Sequence, residues 1–277
     1  MKYREIAQTG IMVSPLGLGT VKFGRNQGVK YPSRFELPND QQVRELLALS
    51  RDLGINLLDT APAYGLSEQR LGQLMTNRHD WVIETKVGED FNGGESSFDF
   101  TAKGTHASIE RSLQLLKTDY LDMVLIHSDG DDQRILEEED VLDCLLALRQ
   151  AGKVRAIGIS SKTVQGGLLA FAKDCDVVMS CYNPSYQDEL PVLQAAAQQQ
   201  RGILVKKAFA SGHLDQLQRA DSTPYTNLPK TDNPIEAALQ FIFLQQGVSS
   251  IILGTINPEH LRENVQLTEK ILCQLGD

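Results

Sequence analysis

The chain has 277 residues, 41% of them hydrophobic and 23% charged, with a formal net charge of −9. That length and apolar content suit one large buried core, and the acidic balance argues against broad nucleic-acid binding, which needs a basic face. No apolar run approaches the roughly 18–20 residues of a membrane span, and Cys144, Cys175, Cys181 and Cys273 form neither a CxxC pair nor a zinc spacing.

In chain order, the start MKYREIAQTG lacks the apolar core of a secretory signal. The expected setting is therefore the cytoplasm, with reduced thiols. Lys2–Val13 alternates polar and apolar residues around Thr9-Gly10, which predicts a small β-hairpin, placed as a lid on one end of the fold. Ser14–Leu18 reads as the first buried strand. Further apolar, β-branched runs follow at Ile55–Thr60, Trp81–Val87, Met123–His127, Val154–Ser160, Val177–Asn183, Gly202–Ala208 and Ser249–Gly254. Helical spacing occupies Asp40–Leu53, Thr105–Leu116, Glu138–Ala151, Ile235–Gln246 and Pro258–Leu275, and Gly54, Gly152 and Gly247 stand at three helix ends. Gly24–Asn39, Asp90–Phe100, Ser128–Asp140 and Gln216–Asp232 are the least regular segments, as binding loops and lids often are.

Eight apolar strands, nearly all followed by a helix, predict a parallel sheet buried on both faces. The best reading is a closed (β/α)8 TIM barrel, α/β in class, as a single domain over residues 1–277 with a short N-terminal β-hairpin. The rival, an open doubly wound sheet, would normally carry a GxGxxG turn after its first strand, and none is present.

Chemistry in such a barrel sits at the C-terminal ends of the strands. Those ends supply Asp59, with Tyr64 just beyond it, then Lys86 and His127. Each alone has a bland reading: a turn cap, a half-buried aromatic, a strand-end charge, a structural histidine. Together, at equivalent heights in one mouth, they describe an active site. A phenol with a pKa of about 10 exchanges protons poorly near neutrality. A nearby ammonium on Lys86, paired with Asp59, would lower it and make Tyr64 a general acid.

At these residues the sequence resembles the aldo-keto reductase superfamily, from GLGTVKFG (Gly17–Gly24) to GTINPEHLRENV (Gly254–Val265). The Asp59–Tyr64 segment, TKVG (Thr85–Gly88) and LIH (Leu125–His127) look like the family's three catalytic blocks. The resemblance implies a catalytic tetrad of Asp59, Tyr64, Lys86 and His127, and an NAD(P)H-dependent reduction of an aldehyde or ketone. His127 would orient the carbonyl. The implied cofactor contacts are Gly19, Thr20, Val21 and Asp59, then Ser160, Ser161 and Met179. They continue through Lys206, Lys207 and the small-residue loop Ala210, Ser211 and Gly212. The last block contributes Gly254, Thr255, Asn257, His260, Glu263 and Asn264. The sequence departs from the family pattern at Ser161 (usually Asn), Met179 (usually Gln) and Lys206 (often an aromatic). It also lacks the lysine and arginine that many NADPH-preferring members carry at the positions of Gly254 and His260. The implied cofactor is NADP(H), with NAD(H) as the alternative. The implied partner is a small-molecule carbonyl substrate, with no nucleic acid or membrane. A dinucleotide-binding sensor on the same barrel is the rival function. The loops Gly24–Asn39, with Tyr31 and Phe35, and Ser128–Asp140 are left to shape the substrate pocket, and the sequence carries no signal of oligomeric state.

Overall fold

The alternation at the start of the chain folds into an antiparallel hairpin, β1 (Arg4–Ile6) against β2 (Ile11–Val13). A computed structural model describes residues 1–29, 31–213 and 231–276. Most of the irregular segment Gln216–Asp232 therefore lies outside the described residues.

The barrel begins with β3 (Leu16–Gly19), β4 (Leu57–Asp59) and β5 (Val82–Val87). After β5 the chain makes a second antiparallel hairpin, β6 (Glu89–Asn92) and β7 (Glu95–Phe98). The barrel resumes with β8 (Leu121–His127), β9 (Val154–Ser160), β10 (Val177–Cys181), β11 (Gly202–Lys206) and β12 (Val248–Leu253). These eight strands are parallel in sequence order, and β12 pairs with β3 to close the ring. Helices surround them: α1 (Val21–Gly24), α2 (Asp40–Asp52), α3 (Ser67–Leu74), α4 (Ala102–Leu116), α5 (Asp132–Glu137), α6 (Val141–Gln150), α7 (Val164–Ala172), α8 (Leu190–Gln199), α9 (Pro234–Phe243) and α10 (Pro258–Leu275). Among the described residues, none of the helices is long and apolar enough to cross a membrane.

Strand residues alternate between two apolar cores. One set, including Leu58, Ile83, Val124, Ile126 and Ile157, packs outward against the helices. The other, Leu57, Val82, Met123, Leu125, Ala156, Met179 and Leu204, fills the barrel interior together with Ile6, Ile11 and Val13 of the hairpin. The hairpin is thus a plug at the N-terminal end of the barrel, and the C-terminal end is left for chemistry.

Two irregular segments of the sequence reading are ordered. Asp90–Phe100 holds most of the β6–β7 hairpin, turning on Gly93 and Gly94, both at positive φ. Its strands are polar and largely exposed, so no apolar pattern marks them. The signal that does mark them is Gly-Gly between two extended runs, which suits a hairpin turn needing positive φ at both central residues. Ser128–Asp140 holds α5, whose N-cap Asp131 accepts from the Arg134 amide at 3.3 Å. Consequently the helix predicted from Glu138 begins at Val141. The helix predicted from Thr105 begins at Ala102, because the Thr101 hydroxyl accepts from the Gly104 amide at 3.1 Å. The first barrel strand starts at Leu16 rather than Ser14, whose amide donates to Asn56 Oδ1 instead of a ladder.

Candidate active site

Asp59 ends β4 and Lys86 lies near the end of β5, where inward alternation turns both into the barrel mouth. Lys86 is 1% exposed and Asp59 4%. The Lys86 ammonium donates to Asp59 Oδ1, to the Thr60 carbonyl at 2.9 Å and to Glu84 Oε2 at 3.2 Å. Burial works against its charge, but Asp59, Glu84 and Tyr64 hold its pKa well above the usual lysine range. Asp59 is fixed from behind: its carbonyl accepts from the Thr20 amide at 2.9 Å and the Thr20 hydroxyl at 2.8 Å. Thr20 also meets Ser67 Oγ at 2.7 Å, so its hydroxyl is committed to a buried network.

Tyr64 ends a single 3-10 turn, Pro62–Tyr64, which stops because Gly65 takes φ +63°. The turn is clamped by glycines. A Cβ on Gly65 would lie 2.4 Å from the Gly24 carbonyl oxygen, and one on Gly24 would lie 2.4 Å from the Tyr64 carbonyl oxygen. The clamp sets the Tyr64 ring with its centroid 4.9 Å from Lys86 Nζ and 6.3 Å from that of His127, edge-on. Burial and the Asp59 charge push the Tyr64 phenol up, and Lys86 pulls it down without overcoming them. Before any ligand binds, Tyr64 is therefore a protonated acid rather than a phenol already brought toward neutrality, as the sequence reading expected.

His127 closes β8, with Nδ1 2.8 Å from Glu89 Oε2. Burial lowers the imidazole pKa and Glu89 opposes the shift. Burial would raise Glu89 in turn, but the His127 contact and Ser96, which donates to it at 2.6 Å, hold it at about 2. A proton on Nδ1 facing this carboxylate leaves Nε2 of the neutral ring as an acceptor. The imidazolium presents Nε2–H as a donor.

On the far side of the mouth, Lys206 donates to Ser160 Oγ at 2.8 Å and to the Ser161 carbonyl at 2.7 Å. Burial lowers its pKa to about 8, with Glu189 opposing. Met179 is packed inside the barrel beside Leu204 and offers apolar surface. Lys207 is exposed at φ +56°. Ala210, Ser211 and Gly212 all take positive φ, and the Ala210 and Gly212 amides donate within that turn. Gly19 brings bare backbone beside Asp59, since its Cβ would lie 3.3 Å from Asp59 Oδ2. Val21 follows at the start of α1. A Cβ on Gly254 would meet the Tyr31 hydroxyl at 2.8 Å. Thr255 and Asn257 organise the N-terminus of α10, where Asn257 Oδ1 accepts from the Glu259 amide at 2.9 Å. His260 and Glu263 are exposed on α10, whereas Asn264 is buried and its Oδ1 has no hydrogen-bond partner among the described residues. No group of three or more His, Cys, Asp or Glu side chains among the described residues could hold a metal ion.

The sequence model of the Aldo/keto reductase family matches residues 15–233. The chain belongs to this family. A solved structure assigned to the aldo-keto reductases, from Pseudomonas aeruginosa, is 49% identical, covers 98% of this chain and 95% of its own, and superposes with a TM-score of 0.85. L-galactose dehydrogenase of Arabidopsis thaliana is 28% identical over 96% of this chain and 87% of its own length. D-threo-aldose 1-dehydrogenase of a Pseudomonas species is 28% identical over 94% and 91%.

This aldo/keto reductase thus gathers Asp59, Tyr64, Lys86 and His127 into one mouth, as the strand-end reading placed them. Two carboxylates that the reading missed complete the cluster. Glu89 stands on the polar hairpin that lacked an apolar pattern. Glu84 was visible in WVIETKV, two residues before Lys86 and so on the same face of a buried strand. An acidic residue inside an otherwise apolar barrel was the available signal.

Proposed function

We propose that this aldo/keto reductase reduces an aldehyde or ketone to an alcohol with NAD(P)H, Tyr64 giving the proton. The observation that carries the reading is the Tyr64 phenol set beside the buried Lys86–Asp59 pair, with His127 edge-on to it. The residues present suit a dinucleotide: Gly19 keeps bare backbone beside Asp59, and the Ala210–Gly212 turn carries only small side chains, which suits close backbone approach. When bound, the nicotinamide supplies the hydride. Gly19, Val21, Ser160, Ser161, Lys206 and the start of α10 would hold it. NADP(H) is the first choice on the family resemblance alone, and NAD(H) stays as the second because Gly254 and exposed His260 leave no fixed cation at their positions for a 2′-phosphate.

A carbonyl oxygen lying between Tyr64 and His127 gathers negative charge as it is reduced. Tyr64 Oη transfers its proton to that oxygen, and Lys86 stabilises the resulting phenolate. His127 adds a second donor when its ring is protonated, a state that Glu89 favours. In the reverse direction the phenolate takes the alcohol proton. The relatives named for L-galactose and D-threo-aldose support a small polyhydroxy carbonyl compound as substrate.

The test measures NADPH and NADH oxidation by the pure protein against a panel of aldehydes, ketones and aldoses, with dissociation constants for both cofactors. Tyr64→Phe is expected to lower turnover about 10²–10⁴-fold while leaving cofactor affinity within about twofold. A protein that binds NADPH but oxidises it with no carbonyl compound would defeat the reading in favour of the binding sensor.

A further inference from the structure

Glu84 precedes Lys86 by two residues on β5, so both side chains enter the barrel. Its side chain is 0% exposed, and its Cα partners are Asp59 on β4 and Met123 on β8. Both of its oxygens stand 3.2 Å from Lys86 Nζ. The three ammonium protons of Lys86 meet three acceptors: Asp59 Oδ1, the Thr60 carbonyl and Glu84 Oε2. The lysine is satisfied, but Glu84 is not, because Oε1 is buried without a hydrogen-bond partner.

An ionised carboxylate can only accept hydrogen bonds. Ionised Glu84 would leave Oε1 beside Lys86 Nζ with no proton left to accept, since Asp59, Thr60 and Oε2 take all three, and would set two negative charges against one ammonium in a closed barrel. A proton on Oε1 removes both faults. The acid then donates to Asp59, still accepts from Lys86 through Oε2, and leaves one negative charge beside one positive charge. We propose that in the resting protein Glu84 carries a proton on Oε1, donates it to Asp59 and holds the third ammonium proton of Lys86 through Oε2, acting as a positioning residue for the tyrosine donor.

This rests on the reading of Tyr64 as proton donor. Once the Tyr64 O–H bond breaks and the substrate O–H bond forms, the phenolate outcompetes a neutral acid as acceptor. Lys86 then turns one N–H from Glu84 to Tyr64 Oη while Asp59 and Thr60 keep the ammonium in place. Glu84 neither gains nor loses a proton in the exchange. The titratable groups facing it are Asp59 from β4, Lys86 on its own strand and Tyr64 from the turn after β4, and β8 faces it with apolar Met123. Burial raises the Glu84 carboxyl well above the ordinary range, Asp59 adds to the shift and Lys86 opposes it.

Infrared difference spectroscopy of the wild type against Glu84→Gln tests this. At neutral pH the wild type should show the carbonyl stretch of a protonated carboxylic acid, shifted in D2O and absent from the variant. Lack of that band overturns the proposal. Glu84→Ala should lower kcat about tenfold with KM and cofactor affinity little changed. Glu84→Gln should recover most of the loss, because an amide keeps both a donor and an acceptor. A Glu84→Gln protein as slow as Glu84→Ala would show that a charge is required and would also overturn the proposal. Should Glu84→Gln fail to fold, carboxyl-labelled glutamate in the wild type reads the same proton by its carbon chemical shift, and no protonated glutamate at neutral pH is again the refuting result. Failure of the reductase reading is distinguishable: turnover is then absent while the carboxylic-acid band remains.

Discussion

Lys86 does more at the residue scale than neutralise Asp59. Burial and the Asp59 charge push the pKa of the Tyr64 phenol up, whereas Lys86 pulls it down. Replacing Lys86 by Met removes the downward pull, so Tyr64 should ionise at still higher pH. Alcohol oxidation needs the phenolate, and its rate rises as pH passes the Tyr64 pKa. The rising limb of that pH profile should therefore move upward in Lys86→Met, and a limb that stays in place would make Lys86 structural. Glu89 carries a second prediction. Its folded-state pKa of about 2 lies below the ordinary 4.5. A depressed carboxylate pKa gives stability that is complete above the unfolded value and is lost as pH falls through the folded one. Glu89→Gln should thus be less stable than the wild type at neutral pH, with the gap closing between about pH 4.5 and 2. Urea midpoints across that range check it, and a constant gap would show that the His127 pairing is not its source.

The short elements that carry the site are held by close backbone approach. A Cβ at Gly24 would stand 2.3 Å from the Ser67 amide nitrogen, 2.4 Å from the Tyr64 carbonyl oxygen and 2.5 Å from the Leu66 amide nitrogen. These atoms belong to the Tyr64 turn and the start of α3, so a methyl group must push the turn away from α1. Gly24→Ala is expected to cost about 1–3 kcal/mol of stability by overpacking. Turnover should fall more than that cost suggests, because a displacement of about 1 Å at a catalytic group can cost roughly a hundredfold. Thermal unfolding and kcat measured together decide the matter; a variant with normal kcat would mean that the turn adapts. The sequence block GLGTVKFG marked Gly24 for its resemblance, but the atoms it touches lie about forty residues away and became visible only in the folded chain.

Seen whole, the molecule separates its stability from its chemistry. Ile6, Ile11 and Val13 of the hairpin pack into the barrel interior from the N-terminal end, with Leu57, Val82 and Met123. Gly202 makes room for the plug, since its Cβ would lie 3.0 Å from Ile6 Cγ2. Ile6→Ala should cost about 2–5 kcal/mol, as buried aliphatic truncations do. The cavity opens at the end remote from Tyr64, so turnover per folded molecule should match the wild type. Calorimetry beside kcat tests this, and a loss of kcat at a temperature where the variant is fully folded would show that the plug reaches the mouth.

By itself the sequence determined the eight-strand barrel, the hairpin before it and the strand-end positions of Asp59, Tyr64, Lys86 and His127. Those features are local: continuous apolar strands, glycine helix ends and polar residues at fixed places in them follow from periodicity along the chain. What the tertiary structure decided is everything set by contact between distant segments. The Glu89 contact with His127 depends on a polar hairpin that burial does not pattern. Committing the Thr20 hydroxyl to Asp59 and Ser67 required three elements to meet. The raised Tyr64 pKa, against the lowering expected from Lys86 alone, is a balance of burial and neighbouring charges that sequence spacing does not contain. Glu84 stands between the two cases. Its inward face could be read from alternation, but its orphaned oxygen and its share of the Lys86 ammonium exist only once β4 and β5 lie side by side.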